Sequence, residues 1–261
     1  MKTRFSGDAR TPLSPEEKER YRRQLILPEI GEDGQRRLKG ARVCVVGLGG
    51  LGSISATVLA ASGVGTLRVV DRDRVETGNL NRQIAHWTAD VGRPKTDSAR
   101  EKLLALNPGI RVDAVQMDVN RENAAEAVGD CALILDATDN LAVRKALNRV
   151  AVAGRIPFVC GGVEGFSGMV TTVAPGAPCL ECLFPGEAAE GEREIGVPGP
   201  MPGVVASLQA LEAIKLILGI GRPLTGRMIL IRALDMTFRE VRVDERNPHC
   251  PVCGGPAGEA I

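Results

Sequence analysis

The sequence is poor in aromatic residues, carries almost no net charge and lacks long apolar runs. Phe, Trp and Tyr make up 3% of its 261 residues, so aliphatic side chains must build the core. The formal net charge of +1 creates no global field toward nucleic acid, and nucleic-acid binding is not expected. No apolar run reaches about 18 residues, and no apolar signal segment opens the chain. We therefore expect a cytoplasmic protein that does not engage a membrane.

Histidine is also scarce, with two residues, whereas there are seven cysteines. In a reducing compartment thiols bind metal or stay free more often than they pair. Cys179, Cys182, Cys250 and Cys253 form two CxxC pairs, a pattern that suits a tetrahedral Zn²⁺ site, with iron or a disulfide as alternatives. Four thiolates would leave no open coordination position, so the predicted zinc knuckle is structural. The other three cysteines fall in predicted strands and are interpreted as small buried apolar residues: Cys44, Cys131 and Cys160.

Strand-like and helix-like segments alternate between residues 42 and 160. The predicted strands are Arg42–Val46, Leu67–Val70, Arg111–Val115, Cys131–Leu135 and Pro157–Cys160, and the predicted helices between them are Leu51–Ala61, Lys95–Leu106 and Leu141–Ala153. This alternation is typical of an α/β fold with a doubly wound, mainly parallel, Rossmann-like sheet. Later strands at Met169–Val173, Arg227–Ile231 and Phe238–Val243 are expected to extend it in antiparallel fashion, around a helix at Val204–Leu218.

The remaining segments set the predicted boundaries. Residues 1–13 read as a flexible tail, residues 14–253 as a single domain, and residues 254–261 as a C-terminal tail. Ser14, Pro15 and Glu17 predict a capped helix that runs through Leu25. Residues 184–203 are rich in Gly, Pro and Glu and predict a mobile loop over a site, with a plain long connection as the alternative.

A glycine turn is the first candidate site. Gly47, Gly49, Gly50 and Gly52 follow a predicted strand and open a predicted helix, which lets the backbone approach a phosphate at the helix N-terminus. Asp71 ends the next strand, where an acidic side chain can hydrogen-bond ribose hydroxyls. The glycine turn and Asp71 fit a site for NAD and a site for ATP equally well. A glycine turn that binds no ligand is a third possible interpretation.

Three charged residues favour ATP over NAD. Arg82 lies past the second strand, Lys95 opens a helix, and Asp139 follows the fourth strand. A triphosphate needs several cations and a carboxylate for Mg²⁺, whereas a hydride-transfer site needs few cations near its cofactor. The topology would bring all three to the carboxyl ends of the strands, near the glycine turn.

Together these motifs closely resemble the ThiF/MoeB/HesA group of E1-like activating enzymes, and the likeness covers nearly the whole chain past its first dozen residues. Its signatures are Arg20–Gln24, Gly47–Gly52, Asp71–Asp73, Asn79–Gln83, Val91–Lys95, Asp136–Asn140, Ser207–Lys215 and both CxxC pairs. The resemblance implies an E1-like adenylation domain that uses ATP and Mg²⁺ to adenylate the C-terminal glycine carboxylate of a small ubiquitin-like sulfur-carrier protein of the MoaD or ThiS type. A separate sulfur donor would then act on the acyl-adenylate.

The resemblance also implies a role for each site residue. Asp71 would hold the ribose, with Asn79, Arg82 and Lys95 on the phosphates and Asp139 on Mg²⁺. Arg23 would reach the γ-phosphate from a partner subunit, which implies a homodimer. The cofactor-binding set is completed by the four glycines of the turn and by Asp73, Gln83 and Asn140.

The chain departs from some relatives in its loop. Residues 183–202 contain no cysteine, and Glu192 stands near the position at which those relatives carry one for covalent linkage to the carrier. We therefore expect an adenylate product without a thioester or acyl-disulfide relay through this loop, and no fused rhodanese domain after residue 253. Three alternatives remain open: an NAD-dependent oxidoreductase, a non-catalytic adaptor, and a relative that adenylates a tRNA-bound carboxylate, such as an ATP-dependent dehydratase.

Overall fold

The computed structural model describes residues 12–186, 196–243 and 246–254. Its strands are β1 (Arg42–Val46), β2 (Thr66–Asp71), β3 (Arg111–Gln116), β4 (Leu133–Asp136), β5 (Phe158–Glu164), β6 (Ser167–Val173), β7 (Arg227–Arg232) and β8 (Thr237–Arg242). Its helices are α1 (Pro15–Arg20), α2 (Arg22–Leu25), α3 (Gly31–Gly40), α4 (Gly50–Ala61), α5 (Lys95–Leu106), α6 (Ala124–Val128), α7 (Leu141–Ala153), α8 (Leu180–Leu183) and α9 (Pro200–Leu218).

All the strands belong to one mixed sheet with the order β3-β2-β1-β4-β5-β6-β7-β8. The pairs from β3 through β5 are parallel, and β5 through β8 pair as antiparallel neighbours. This confirms the predicted doubly wound sheet with an antiparallel extension. The strand order reverses between β1 and β4, which is where open α/β sheets bind their ligands.

Two apolar layers cover the sheet. In β1 the side chains of Val43 and Val45 enter a core with α3, α4, α5 and α9, whereas Cys44 and Val46 enter a second core with α6, α7 and α8. The alternation follows from the two-residue period of a strand buried on both faces. Cys44, Cys131 and Cys160 are buried in the second core, as predicted.

Several boundaries differ from the predictions. The N-terminal helix breaks at Tyr21 into α1 and α2, because Tyr21 leaves helical geometry to bury its ring beside Gly63. Strand β4 begins at Leu133 rather than Cys131, after the positive-φ residue Gly129 ends α6. The short helices α6 and α8 were not predicted, and neither was α3, whose three glycines mask its helical pattern.

Helix α9 begins at Pro200 rather than Val204, because proline is well suited to the first helical turn. Residues 200–203 of the predicted loop are therefore helical. By length and composition alone α9 is apolar enough to cross a membrane, although Glu212 and Lys215 interrupt its apolar residues. However, 56% of its most apolar window is buried against the sheet and α4, which is the position of a core helix.

Candidate functional site

The glycine turn connects β1 to α4 at the reversal point of the sheet. Gly47 has φ +89°, a conformation that favours glycine, and a Cβ on it would lie 2.8 Å from the Ala137 carbonyl oxygen. Because β1 and β4 are parallel neighbours, the turn and the residues that follow β4 share one crevice. The free N–H groups at the start of α4 lie at this crevice, so the turn can bind an anion.

Asp71 supports the turn from the end of β2. Its Oδ2 accepts a hydrogen bond from the Leu48 N–H at 2.6 Å, and its Oδ1 accepts one from the Asp73 N–H at 2.7 Å. Burial raises the pKa of Asp71, and the nearby charge of Lys95 together with these two N–H groups opposes that shift only in part. Each carboxylate oxygen keeps a second lone pair for a ligand hydroxyl.

Lys95 enters the same region from the first residue of α5. Its side chain is only 6% exposed, and its Nζ donates to Asp73 Oδ2 at 2.9 Å. The Lys95 N–H also donates to the Asp73 carbonyl oxygen at 2.9 Å. Asp73, predicted to bind the cofactor, thus holds the lysine in place beside the turn.

The segment that follows β2 lies across the turn. Arg82 and Gln83 both lie next to glycines of the turn. A Cβ added to Gly50 would be 3.6 Å from Arg82 Cγ, and one added to Gly49 would be 3.7 Å from Gln83 Nε2. Gln83 is 4% exposed, and its buried Oε1 has no hydrogen-bond partner within the described ranges. An unpaired buried amide oxygen beside an anion-binding turn indicates a polar partner that the protein itself does not supply.

Asn79 stabilises that segment from within, because its Oδ1 accepts the Glu76 N–H at 3.1 Å. The Arg82 guanidinium donates to the Gly78 carbonyl oxygen at 3.0 Å and to Asn81 Oδ1 at 2.9 Å. These are contacts with neutral acceptors, so the charge of Arg82 remains available to an anion in the crevice.

The residues after β4 are held by a buried ion pair that the sequence analysis missed. Arg144 Nε lies 2.7 Å from the buried Asp136 Oδ2, but outside hydrogen-bond alignment, so the contact is ionic. Arg144 Nη2 donates to the Thr138 carbonyl oxygen at 2.7 Å, which fixes the backbone just before Asp139. Asp139 is exposed, and within the described part of the chain no cation lies within ion-pair distance of its carboxylate. Asn140 Oδ1 caps α7 by accepting the N–H groups of the helix's second and third residues.

The end of the predicted loop closes over the turn. Gly199 packs so tightly against the Asn81 carbonyl oxygen that a side chain would collide with it, and Pro202 would lie 3.0 Å from a Cβ on Gly50. The N-terminus of α9 is therefore part of the crevice wall, so the end of the predicted loop does lie over a site, but as the first turn of a helix. Residues 187–195, including Glu192, lie outside the described residues.

Among the residues predicted for the nucleotide site, Arg23 lies away from its own chain's crevice. Gln24 Nε2 donates to the Ser62 carbonyl oxygen at 3.1 Å, at the C-terminal end of α4, and Arg20 donates to the Leu106 carbonyl oxygen at 3.0 Å, at the C-terminal end of α5. Both helices begin at the crevice and have 12 residues, which places α2 about 18 Å away along their axes.

A sequence model described as the ThiF family matches residues 21–252. The chain belongs to the ThiF family. The match runs from Tyr21, just before α2, through the crevice and the first cysteine pair to Val252, the residue before Cys253.

Curated ThiF relatives are similar over almost their full length. The chain is 46% identical to the sulfur carrier protein adenylyltransferase of Thermus thermophilus, over 92% of each chain. It is 44% identical to the SAMP-activating enzyme E1 of Haloferax volcanii, over 93% of this chain and 91% of the relative. It is 43% identical to the molybdopterin-synthase adenylyltransferase of Escherichia coli, over 93% of this chain and 98% of the relative. The E. coli MccB structure with ATP matches with a TM-score of 0.78 and 26% identity, over 85% of this chain and 69% of MccB.

The second feature of this ThiF chain is a cluster of four thiols. The sulfur atoms of Cys179, Cys182, Cys250 and Cys253 lie within 4.8 Å of one another, and all four thiols are free. The Cys179–Cys250 and Cys182–Cys253 sulfur separations are 3.7 and 3.4 Å. Tetrahedral zinc with Zn–S bonds of about 2.3 Å places its sulfurs roughly 3.8 Å apart, so the cluster fits the metal.

The thiols of the cluster differ in acidity, because burial raises the pKa of Cys179 and of Cys253 whereas the pKa of Cys250 is lowered. Burial would raise the pKa of Cys250, but the N–H groups of Cys253 and Val252 and the neighbouring thiols outweigh it and lower that pKa to about 7. Cys250 is therefore the thiol ready to ionise near neutral pH, and a bound cation would favour the thiolate form of its neighbours.

Proposed function

We propose that this chain adenylates the C-terminal glycine carboxylate of a small ubiquitin-like sulfur-carrier protein. The observation that carries the proposal is the crevice itself, where an anion-binding turn meets Arg82, Lys95 and the unpaired Asp139. The names of the Thermus and Escherichia relatives support the same reaction class.

The reaction forms one bond and breaks one. A carboxylate oxygen of the carrier attacks the α-phosphorus of ATP, the bond between that phosphorus and the α–β bridging oxygen breaks, and pyrophosphate leaves. The nucleophile is already ionised, so the protein must mainly position the reactants and stabilise charge. Arg82 and Lys95 would hold the phosphates, Asp71 the ribose and Asp139 the Mg²⁺, which supplies further charge neutralisation when bound.

The four cysteines would hold a structural Zn²⁺. The ion would join α8 to the C-terminal segment around Cys250, and it would take no part in the chemistry because four thiolates complete its coordination. The free state of all seven cysteines agrees with a reducing, cytoplasmic location.

The product would be a free acyl-adenylate, used by a separate sulfur donor. Residues 183–202 contain no cysteine, so no thiol is available there to take over the acyl group. We further propose a homodimer in which Arg23 completes the partner's crevice, because the fold keeps this residue away from its own.

ATP–pyrophosphate exchange tests the proposal directly. Exchange of labelled pyrophosphate into ATP is expected only when a carrier ending in Gly-Gly is present. A carrier without those two glycines should support none, and Lys95→Ala should lose exchange even with the intact carrier. Exchange that does not depend on the carrier, or none with any carrier tested, would contradict the proposed function.

A further inference from the structure

His86 lies beneath the glycine turn, and each of its ring nitrogens has a partner. Its Nε2 lies 3.0 Å from the Leu48 carbonyl oxygen, and its Nδ1 lies 2.9 Å from Ser98 Oγ on α5. The residue is 3% exposed, so water does not compete for either contact.

The partners determine the tautomer. A carbonyl oxygen only accepts hydrogen bonds, so His86 Nε2 must carry a proton. Burial lowers the pKa of His86 below its ordinary value, although the Leu48 contact and the charges of Asp71 and Asp90 oppose this, and Lys95 reinforces it. The ring is therefore neutral near pH 7, and Ser98 donates its hydroxyl proton to Nδ1.

This contact orients the middle of the turn. The Leu48 N–H is bound by Asp71 and the Leu48 carbonyl by His86, so both polar groups of this residue point into the protein. In a trans peptide the carbonyl and the following N–H point in opposite directions. Fixing the Leu48 carbonyl therefore turns the Gly49 N–H toward the crevice, and within the described ranges nothing accepts that N–H.

We infer that His86 is a positioning residue of the nucleotide site, whose Nε2–H holds the Leu48 carbonyl so that the Gly49 N–H faces the nucleotide phosphates. This role rests on the proposed use of ATP. It differs from a purely structural role because it affects the direction of one backbone donor rather than the stability of the whole fold.

Variants at position 86 test the role through the Kd for ATP, measured calorimetrically with Mg²⁺ and without a carrier. His86→Phe keeps the ring but removes the donor, and should weaken binding about threefold to tenfold, the range expected for one neutral hydrogen bond. His86→Gln can still present an amide N–H to Leu48 and should recover most of the affinity. Ile110→Ala, a buried change before β3, is the matched control and should lower Tm while leaving Kd unchanged.

A second measurement uses the wild-type protein and does not depend on any variant folding. The chain has two histidines, so ¹⁵N-histidine labelling gives a simple imidazole spectrum. His86 should show the neutral Nε2–H tautomer, with a slowly exchanging Nε2 proton. The opposite tautomer, or equal Kd values for wild type and a folded His86→Phe, would overturn the role alone. Wild-type protein that binds no ATP would overturn the proposed function as well.

Discussion

Arg23 provides the sharpest test of how the site is assembled. Its helix α2 contacts the C-terminal end of α4 and the preceding helix α1 contacts that of α5, whereas the glycine turn and Lys95 lie at the N-terminal ends of α4 and α5. Twelve residues at 1.5 Å each separate the two ends by about 18 Å. An extended arginine side chain spans well under half of that distance, so Arg23 does not reach its own crevice, and its proposed role requires a second copy of the chain.

The prediction concerns two inactive variants that restore each other. Arg23→Ala and Lys95→Ala should each lose carrier-dependent ATP–pyrophosphate exchange. When the two proteins are mixed and allowed to exchange subunits, each mixed dimer contains one crevice with Lys95 intact and Arg23 supplied by its partner. Random reassortment makes about half of the dimers mixed, with one working site of two, so activity should recover to about a quarter of wild type.

Two controls separate this result from other causes. Arg22→Ala changes the neighbouring exposed arginine and should remain active, because Arg22 is engaged with Glu19 of its own helix region. Mixing Lys95→Ala with Asp139→Ala should restore nothing, since both residues belong to the same crevice of one chain. Absence of recovery in a mixture shown to contain mixed dimers would refute the assignment of Arg23 to the partner's site.

Three further predictions concern stability. Gly52→Ala would place a Cβ against the Gly47 carbonyl oxygen, so it should markedly lower Tm and abolish ATP binding. Gly78→Ala is the control, because a Cβ there meets nothing within 4 Å and should change neither quantity. A Gly52→Ala variant with unchanged Tm and ATP binding would contradict the turn geometry. Cys179→Ser should cost several kcal/mol of folding free energy because metal binding is coupled to folding, and equal melting curves with and without a chelator would argue against the zinc site. Asp90 is 1% exposed. Burial alone would raise its pKa, but its hydrogen bonds, above all that with Lys102, lower the pKa from 3.8 to about 2. The Asp90 carboxylate therefore contributes about 2 kcal/mol of folding free energy above pH 4 that is lost as the pH falls toward 2, and the unfolding free energy of Asp90→Asn, measured in urea, should depend less on pH over this range.

The fold was largely predictable because its signals are local. A buried parallel strand reads as a short β-branched run, and Val43 through Val46 show it with no dependence on distant residues. The helices that escaped prediction lack such a signal. Helix α3 has glycines at three of its ten positions, and α8 has only four residues, so tertiary contacts rather than propensity determine both.

The site was predictable to a different degree. Motif spacing brought out the turn and the residues Asp71, Arg82 and Lys95, because each follows or opens a recognisable element. It could not bring out His86 or Arg144, whose roles depend on contacts with the Leu48 and Thr138 carbonyl oxygens. Every residue has a backbone carbonyl, so the residue that accepts such a hydrogen bond can be of any type. No pattern in the sequence therefore marks the contact.

The thiol cluster and the crevice wall formed by α9 lie on either side of one stretch of the sequence, residues 183–199. Cys182, in the thiol cluster, comes just before the segment, and Pro200 begins α9 where Pro202 covers Gly50 of the glycine turn. The chain leading up to this segment is thus anchored at the proposed zinc site, and the chain that follows it is anchored at the nucleotide crevice. Because the cluster does not touch the turn itself, loss of the metal should disturb the first anchor while leaving Asp71, Lys95 and the α4 N-terminus in place.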